Sequence, residues 1–586
     1  MAQSHAKSSS APWRILAVPA ALLALSACAS APTQEETASA APADASALPG
    51  VSGDSSAYGL YLAGQAALDA GETGAATEFF NRAAAADPKA VFLKDRVFMA
   101  ALMSGDVARA AQMAPAAGTG RASTHVLGVI AQAVEALAEG RGAEAYAALV
   151  QVGDAGEGGG TIALLKPWAA AAAGRWDDAI TLPSANDRLI QLVAGIDQGL
   201  LFERRHNYGE AETAFKALLG ERVGASLVVQ AYGEFLERRG RRAEAIALYD
   251  QVLSGGQDPD IAAARARAAA KGTPPPAPSL REGAAQALLV PAAAVLADKQ
   301  SDLGLIYLRL ALRLDPKRGQ AWLLVGDVMT AGGDVTGART AFAQITPKSA
   351  EYGDARSRLA WSYQSDDPAQ ALKIARETVQ QLPADDSSKL TLADLLRADK
   401  RYDEAADLMT PIIAAAGAHA EWRLYYMRGV AFERAGRWPE AERDLQKALQ
   451  IQPDQPEVLN YLGYSWVNRG EHVKEGLGMI QKALNADPDE GAYVDSLGWA
   501  YFRLGDYKQA VQLLERAVTL DAGDAEINDH LGDAYWRAGR QDEARFQWRA
   551  VLTMDPDADI KARAEGKLDS PLGLDVVSKT PPVANP

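Results

Sequence analysis

The chain has 586 residues, 48% of them hydrophobic, enough for a large core, and a formal net charge of −16. That acidity, with no cluster of Lys and Arg to offset it, repels phosphate backbones and argues against nucleic acid as a ligand. One cysteine and six histidines, none in an HExxH spacing, are too few for a structural zinc site, and no metal or other cofactor is expected.

Lys7 and Arg14 precede an apolar stretch from Ile15 to Ala27, the charged and apolar regions of a secretory signal. The stretch is shorter than the roughly 20 residues that span a bilayer. Leu25, Ser26, Ala27 and Cys28 close it and resemble the lipobox of bacterial lipoproteins. The resemblance implies a signal peptide over 1–27, cleavage before Cys28 and lipidation of that residue; a plain cleavage site beside a spare cysteine is the other reading. A lone thiol has no partner for an internal disulfide, whereas each buried methylene of an attached acyl chain contributes about 0.8 kcal/mol to membrane attachment. Ala29 stands where an aspartate would resemble an inner-membrane retention signal. The implied address is the outer membrane of a Gram-negative bacterium, lipid-anchored and facing the periplasm. Residues 28–54 hold Ala, Pro, Ser, Thr and Glu with almost no large apolar side chains, a composition that suits a disordered tether.

From residue 55 the chain repeats one helical pattern. Gly64, Ala76, Phe80, Ala83 and Pro88 set it out first, followed by Gly199, Ala211 and Phe215, then Gly233, Ala245 and Tyr249. Trp322, Gly326, Ala338 and Phe342 continue it, with weaker helix pairs between. The pattern is clearest near the end, where Gly429, Gly463, Gly498 and Gly532 lie 34, 35 and 34 residues apart. Ala441, Ala510 and Ala544 follow three of these glycines, Gly476 follows the fourth, and Pro453, Pro488 and Pro556 close repeats. The small residues fall where two antiparallel helices must cross closely, and large ones such as Leu514 fill the space around them. One pair cannot bury both its apolar faces, so neighbours must stack. The pattern resembles the tetratricopeptide repeat, a helix-turn-helix of about 34 residues. The implied fold is an all-α solenoid of about a dozen antiparallel helix pairs.

"KGTPPPAPS", residues 271–279, cannot continue a helix because proline fixes φ and lacks a donor. It is expected to link an N-terminal array over 55–270 to a C-terminal array over 280–556. Residues 557–569 read as a polar capping helix, and 570–586 as a disordered tail.

Signs of catalysis are weak. "EGGGT" around Gly158 lacks the Lys-Ser or Lys-Thr of a phosphate loop. "GYSW" around Ser465 lacks the second glycine of a nucleophile elbow and lies inside an expected helix. Acidic pairs such as Asp366 with Asp367 and Asp385 with Asp386 fall where carboxylates cap helix starts. Asp529, His530 and Asp533 share one turn, but His530 points about 100° away from Asp529, which disfavours a metal site. No enzymatic activity is expected.

In tetratricopeptide arrays the first helix of each pair lines a groove, and the resemblance assigns that face here. It carries Arg423, Tyr426 and Glu433; Asn460, Tyr464 and Asn468; Asp495, Trp499 and Arg503; and Asp529, Asp533 and Arg537. Each set keeps the spacing that puts side chains on one helical face, and Tyr, Trp and Arg are enriched at binding hot spots. Packing between repeats is the other role open to Tyr464 and Trp499. The Lys and Asn clamp that some tetratricopeptide domains use for a C-terminal carboxylate is replaced by Tyr426 with Val430, Asn460 with Tyr464, and Asp495 with Trp499.

Lipobox and repeat together resemble the periplasmic tetratricopeptide lipoproteins that act as adaptors. This implies a protein-binding scaffold for other cell-envelope proteins, such as a processing protease and its cell-wall-remodelling substrates. No small-molecule substrate is expected, and contact with the membrane is expected through Cys28 alone. A scaffold subunit of an export or outer-membrane assembly machine is the alternative, and a hydrolase using Asp495 or Asp529 is a third.

Overall fold

A computed structural model describes residues 56–115, 122–153, 158–184, 187–220, 224–256 and 258–570. Cys28, the expected signal and tether, and residues 571–586 lie outside the described residues. What is described folds as thirty α-helices with one 3₁₀ turn, Gly417–His419, the all-α array of helix pairs that the repeat pattern implies. It divides into two compact units, one ending at Ser362 and the other starting at Tyr363.

The first unit opens with the pairs α1 (Ala57–Asp69) and α2 (Thr73–Ala86), α3 (Val91–Ser104) and α4 (Val107–Gln112), and α5 (Ala122–Ala138) and α6 (Gly142–Val152). It continues with α7 (Gly159–Ala172) and the short α8 (Trp176–Ala179), α9 (Arg188–Arg204) and α10 (Tyr208–Leu218), and α11 (Ala225–Arg238) and α12 (Arg242–Leu253). Then come α13 (Pro259–Ala269), α14 (Leu280–Ala297) with α15 (Ser301–Leu314), α16 (Gly319–Ala331) with α17 (Val335–Ala343), and α18 (Tyr352–Trp361).

Close crossing explains the glycines. A Cβ at Gly64 would stand 2.7 Å from the Phe80 ring, one at Gly199 2.8 Å from Phe215, and one at Gly233 2.3 Å from Tyr249. These rings are fully buried, so each glycine on a first helix is the seat of the large side chain on the second.

The segment 271–279, expected to separate two arrays, lies inside the first unit. After it the chain folds back, and α14 and α15 pack on the first helices α3, α5 and α7. α14 shows why: it is apolar on most sides, as a helix buried between neighbours must be, and its Gly283 lies so close to Trp168 of α7 that a Cβ would stand 2.2 Å from the indole. Arg313 of α15 forms a bidentate pair with Glu135 of α5, at 2.7 and 2.8 Å. That hydrogen bond is the main reason the Glu135 carboxyl titrates below its ordinary range, against the opposing effect of burial. Arg309 Nε donates to the Met103 carbonyl of α3 at 3.2 Å. The wall of first helices in this part of the unit is therefore covered by the chain itself.

The second unit runs from α19 (Pro368–Gln381) through the pairs α20 (Asp386–Ala398) with α21 (Tyr402–Ala416), α22 (Trp422–Arg434) with α23 (Trp438–Ile451), and α24 (Pro456–Arg469) with α25 (Val473–Ala486). It ends with α26 (Gly491–Arg503) and α27 (Tyr507–Leu520), α28 (Ala525–Arg537) and α29 (Gln541–Val551), and a last helix α30 (Ala558–Asp569). Of the acidic residues singled out at helix starts, Asp367 and Asp385 are caps: Asp367 accepts from the Gln370 amide and Asp385 from that of Ser388. Ser465 is buried within α24. Gly505 and Gly539 turn the chain between the helices of their pairs at φ of 82° and 83°, a conformation glycine adopts without strain.

Candidate functional site

The first helices of the last repeats, α22, α24, α26 and α28, carry the face assigned from sequence, and the structure sorts its residues into two groups. The first group is paired within the chain: Asp495, Arg503, Asp529 and Asp533 are buried, Trp499 is half-buried and Asn468 is exposed. Asp495 is 6% exposed, and both its carboxylate oxygens lie 3.0 Å from Nδ1 of His530 on the next first helix. Burial alone would push the imidazole down, but the charge and hydrogen bond of Asp495 outweigh it and raise the pKa to about 9. The same ring stacks on Trp499 at 4.0 Å, and Trp499 stacks in turn on Phe502 at 4.6 Å. Arg503 is buried and donates through Nη1 to the Asn468 carbonyl at 2.6 Å and to its Oδ1 at 3.0 Å. Trp499 Nε1 reaches the same Oδ1 at 3.3 Å.

Asp529 and Asp533 were not paired with anything by the sequence. In the structure both receive Lys567 of α30, whose Nζ donates to Asp529 Oδ1 at 2.7 Å and to Asp533 Oδ1 at 2.6 Å. Asp533 also accepts from Trp548 Nε1 at 3.0 Å. Its pKa is pushed up to about 6, first by burial and then by the charge of Asp529, while Lys567 opposes the rise. Arg563, also on α30, stands 3.4 Å from Asp529 Oδ2. The capping helix is thus pinned to α28 by a buried lysine between two buried carboxylates. Among the described residues no group of three or more His, Cys, Asp or Glu is arranged to hold a metal ion.

The second group remains on the surface of the groove: Arg423 is exposed, and Tyr426, Asn460, Tyr464 and Arg537 are half-buried. Tyr426 meets Tyr461 edge-on at 6.0 Å, and Tyr461 donates its hydroxyl to Glu433 at 2.9 Å. The Tyr464 hydroxyl is raised well above its ordinary pKa, by burial first and then by the charges of Glu526 and Asp495, with Arg563 and Arg434 opposing. Asn460 Oδ1 is buried without a hydrogen-bond donor among the described residues. Lys567, Arg563, Arg434 and Tyr461 were not found from sequence. The periodic spacing identifies one face of a repeat but carries no signal for a side chain that a capping helix lays across it.

The match to a family model agrees with this architecture. Residues 196–260, 390–456, 426–491 and 496–559 match the family model described as tetratricopeptide repeat, and the chain carries these repeats in both units. Among solved structures it is similar to the APC/C hetero-tetramer Cut9–Hcn1, at 17% identity and a TM-score of 0.35, covering 86% of this chain and 95% of that one. A tetratricopeptide repeat protein from Parabacteroides merdae is similar at 14% identity and a TM-score of 0.38, covering 44% of this chain and 98% of that one. YrrB, described as a tetratricopeptide protein with an unusual peptide-binding site, is similar at 18% identity and a TM-score of 0.26, covering 32% and 96%. A comparison with curated proteins gives no match.

Proposed function

We propose that this protein is a non-catalytic scaffold that binds other cell-envelope proteins through the groove of its second unit. Tetratricopeptide repeats are protein-binding modules, and one observation carries the assignment to this groove: Arg423, Tyr426, Asn460 and Tyr464 lie along successive first helices with accessible surface, while their neighbours are locked in internal pairs. Rigid aromatics beside an amide and an arginine suit an extended peptide, the aromatics supplying area and the polar groups meeting its backbone. In this reading Cys28 is lipidated and holds the scaffold at the outer membrane, facing the periplasm. A processing protease and the cell-wall-remodelling enzymes it cuts are its partners, and anchoring raises their effective concentration there.

A pull-down from solubilised envelope tests this, using the mature chain beside a variant with Tyr426, Asn460 and Tyr464 replaced by alanine, both first matched in circular dichroism and melting. A protease or peptidoglycan enzyme captured by the first and lost by the second supports the scaffold and the groove together. The same partners with both proteins would remove the groove assignment. Integral export or assembly components alone would replace the adaptor with a machine subunit.

A further inference from the structure

The segment between α13 and α14 is neither helix nor strand, yet it is held in register. Arg242 Nη2 donates to the Gly272 carbonyl at 3.2 Å, Arg238 Nη1 to that of Pro275 at 3.2 Å, and Arg204 Nη1 to that of Pro278 at 2.8 Å. The three acceptors are three residues apart. Thr273 and Pro276, also three apart, are exposed, whereas Pro274, Pro275, Ala277 and Pro278 are half-buried. A period of three is that of the polyproline II helix, whose carbonyls have no partner within their own chain.

The donors are periodic too. Arg204 and Arg238 end α9 and α11, the first helices of consecutive repeats, and hold equivalent positions five residues after Gly199 and Gly233. Arg238 is bonded to Glu203, the sequence neighbour of Arg204, so the two arginines stand side by side along the segment. Arg204 and Arg238 therefore each meet one carbonyl, three residues apart, and Arg242, at the start of α12 in the same repeat as Arg238, meets a third.

The site is built rather than incidental. Arg238 is held by a bidentate pair with Glu203 at 2.9 and 2.7 Å, and its side chain is 12% exposed. That pair fixes the guanidinium plane and leaves Nη1 directed at the proline segment. Arg242 Nε is buried and has no acceptor among the described residues, so the row has donor capacity that its own segment does not use.

We propose that the arginine row formed by Arg204, Arg238 and Arg242 is a binding site for an extended, proline-rich segment of a partner protein, and that residues 272–278 are its occupant in cis. Recognition is of backbone carbonyls at every third residue, with half-buried prolines beneath them. Any segment that presents that spacing without competing amide donors fits, and the chain's own segment guards the row until one displaces it. This site lies in the first unit and does not depend on the groove of the second.

The test is fluorescence anisotropy with a labelled peptide, KGTPPPAPS, against the full chain. In one variant Pro274, Pro275, Pro276 and Pro278 are each replaced by serine, which frees the row. The peptide binds this variant at least about tenfold tighter than the native chain, because a segment tethered at both ends competes at an effective concentration in the millimolar range. Adding Arg204→Ala and Arg242→Ala, which leaves the Arg238–Glu203 pair intact, abolishes the gain. A peptide with alanine at every proline does not bind.

If the fourfold variant melts below the native chain, Pro275→Gly with Pro278→Gly is read in the same way. No saturable binding to a folded variant, or binding unaffected by loss of the two arginines, overturns the proposal.

Discussion

Lys567→Met tests whether the capping helix is held by its buried lysine. Lys567 is 2% exposed, and the two carboxylates it meets, Asp529 and Asp533, are 2% and 5% exposed. Removing the ammonium leaves two buried carboxylates facing each other, with Trp548 Nε1 at 3.0 Å, Arg563 at 3.4 Å and the charge of His530 to compensate. Truncating one partner of a buried ion pair costs about 3–5 kcal/mol, and the remaining donors place the variant toward the lower end. A repeat array does not unfold as one cooperative block, so the loss is read locally, as hydrogen exchange of the α30 amides from Ala564 to Lys567. Their protection is expected to fall by roughly 3 kcal/mol at pH 7, about a hundredfold or more in rate, while that of α22 to α25 is unchanged. The sign with pH follows from the raised carboxyl. A group protonated more readily in the folded state than in the unfolded one stabilises progressively as pH falls, so the variant recovers protection on acidification from about pH 7 toward pH 4. Protection of α30 within about 0.5 kcal/mol of the native chain at pH 7 would refute this account of the cap.

Other expectations follow from single contacts. His530 is held charged by Asp495, so its pKa of about 9 lies above the ordinary 6.5; its contribution is complete below about pH 6.5 and is lost as pH rises through 9. NMR of the imidazole should show it protonated at pH 7.5, and a neutral ring at that pH would remove the ion pair from the account. Asp197 of α9 is 4% exposed, and burial raises its pKa to about 8 despite the opposing Trp168 indole. Asp197→Asn should therefore raise the melting temperature of the first unit at pH 8.5 and change it little at pH 5, and equal shifts at both values would count against it. Gly532→Ala places a Cβ 2.4 Å from Trp548 Nε1; overpacking of this kind costs about 1–3 kcal/mol. Urea denaturation of the last repeats checks it, and an unchanged midpoint would mean that the two helices can part freely.

The repeats were legible because one physical demand, two helices crossing closely, recurs at a fixed interval and leaves glycine and a large partner as its trace. Gly64, Gly199, Gly233 and Gly532 each stand against the ring or indole that follows them in their repeat. The pair α14–α15 was not legible. Its helices satisfy a different demand, burial against three earlier helices, which leaves composition and no period. The same holds for the groove. Asp495, Trp499, Arg503, Asp529 and Asp533 do lie on first helices, as spacing requires. Whether such a residue meets solvent or a neighbour is decided by side chains such as His530 and Lys567, which lie 35 and 38 residues away from their partners. An isolated repeat contains no record of them.

The fold-back of α15 also sets the order of events during synthesis. Arg313 meets Glu135 across 178 residues and Arg309 meets Met103 across 206, whereas helix pairs in a solenoid close on neighbours. Local pairs form in milliseconds or less. At about 5–20 residues per second, the ribosome needs roughly 10–40 s to supply α15 once α5 has emerged. For that interval α3, α5 and α7 stand folded with an apolar wall uncovered, and the first unit completes itself in the manner of a globular domain, by a late long-range closure.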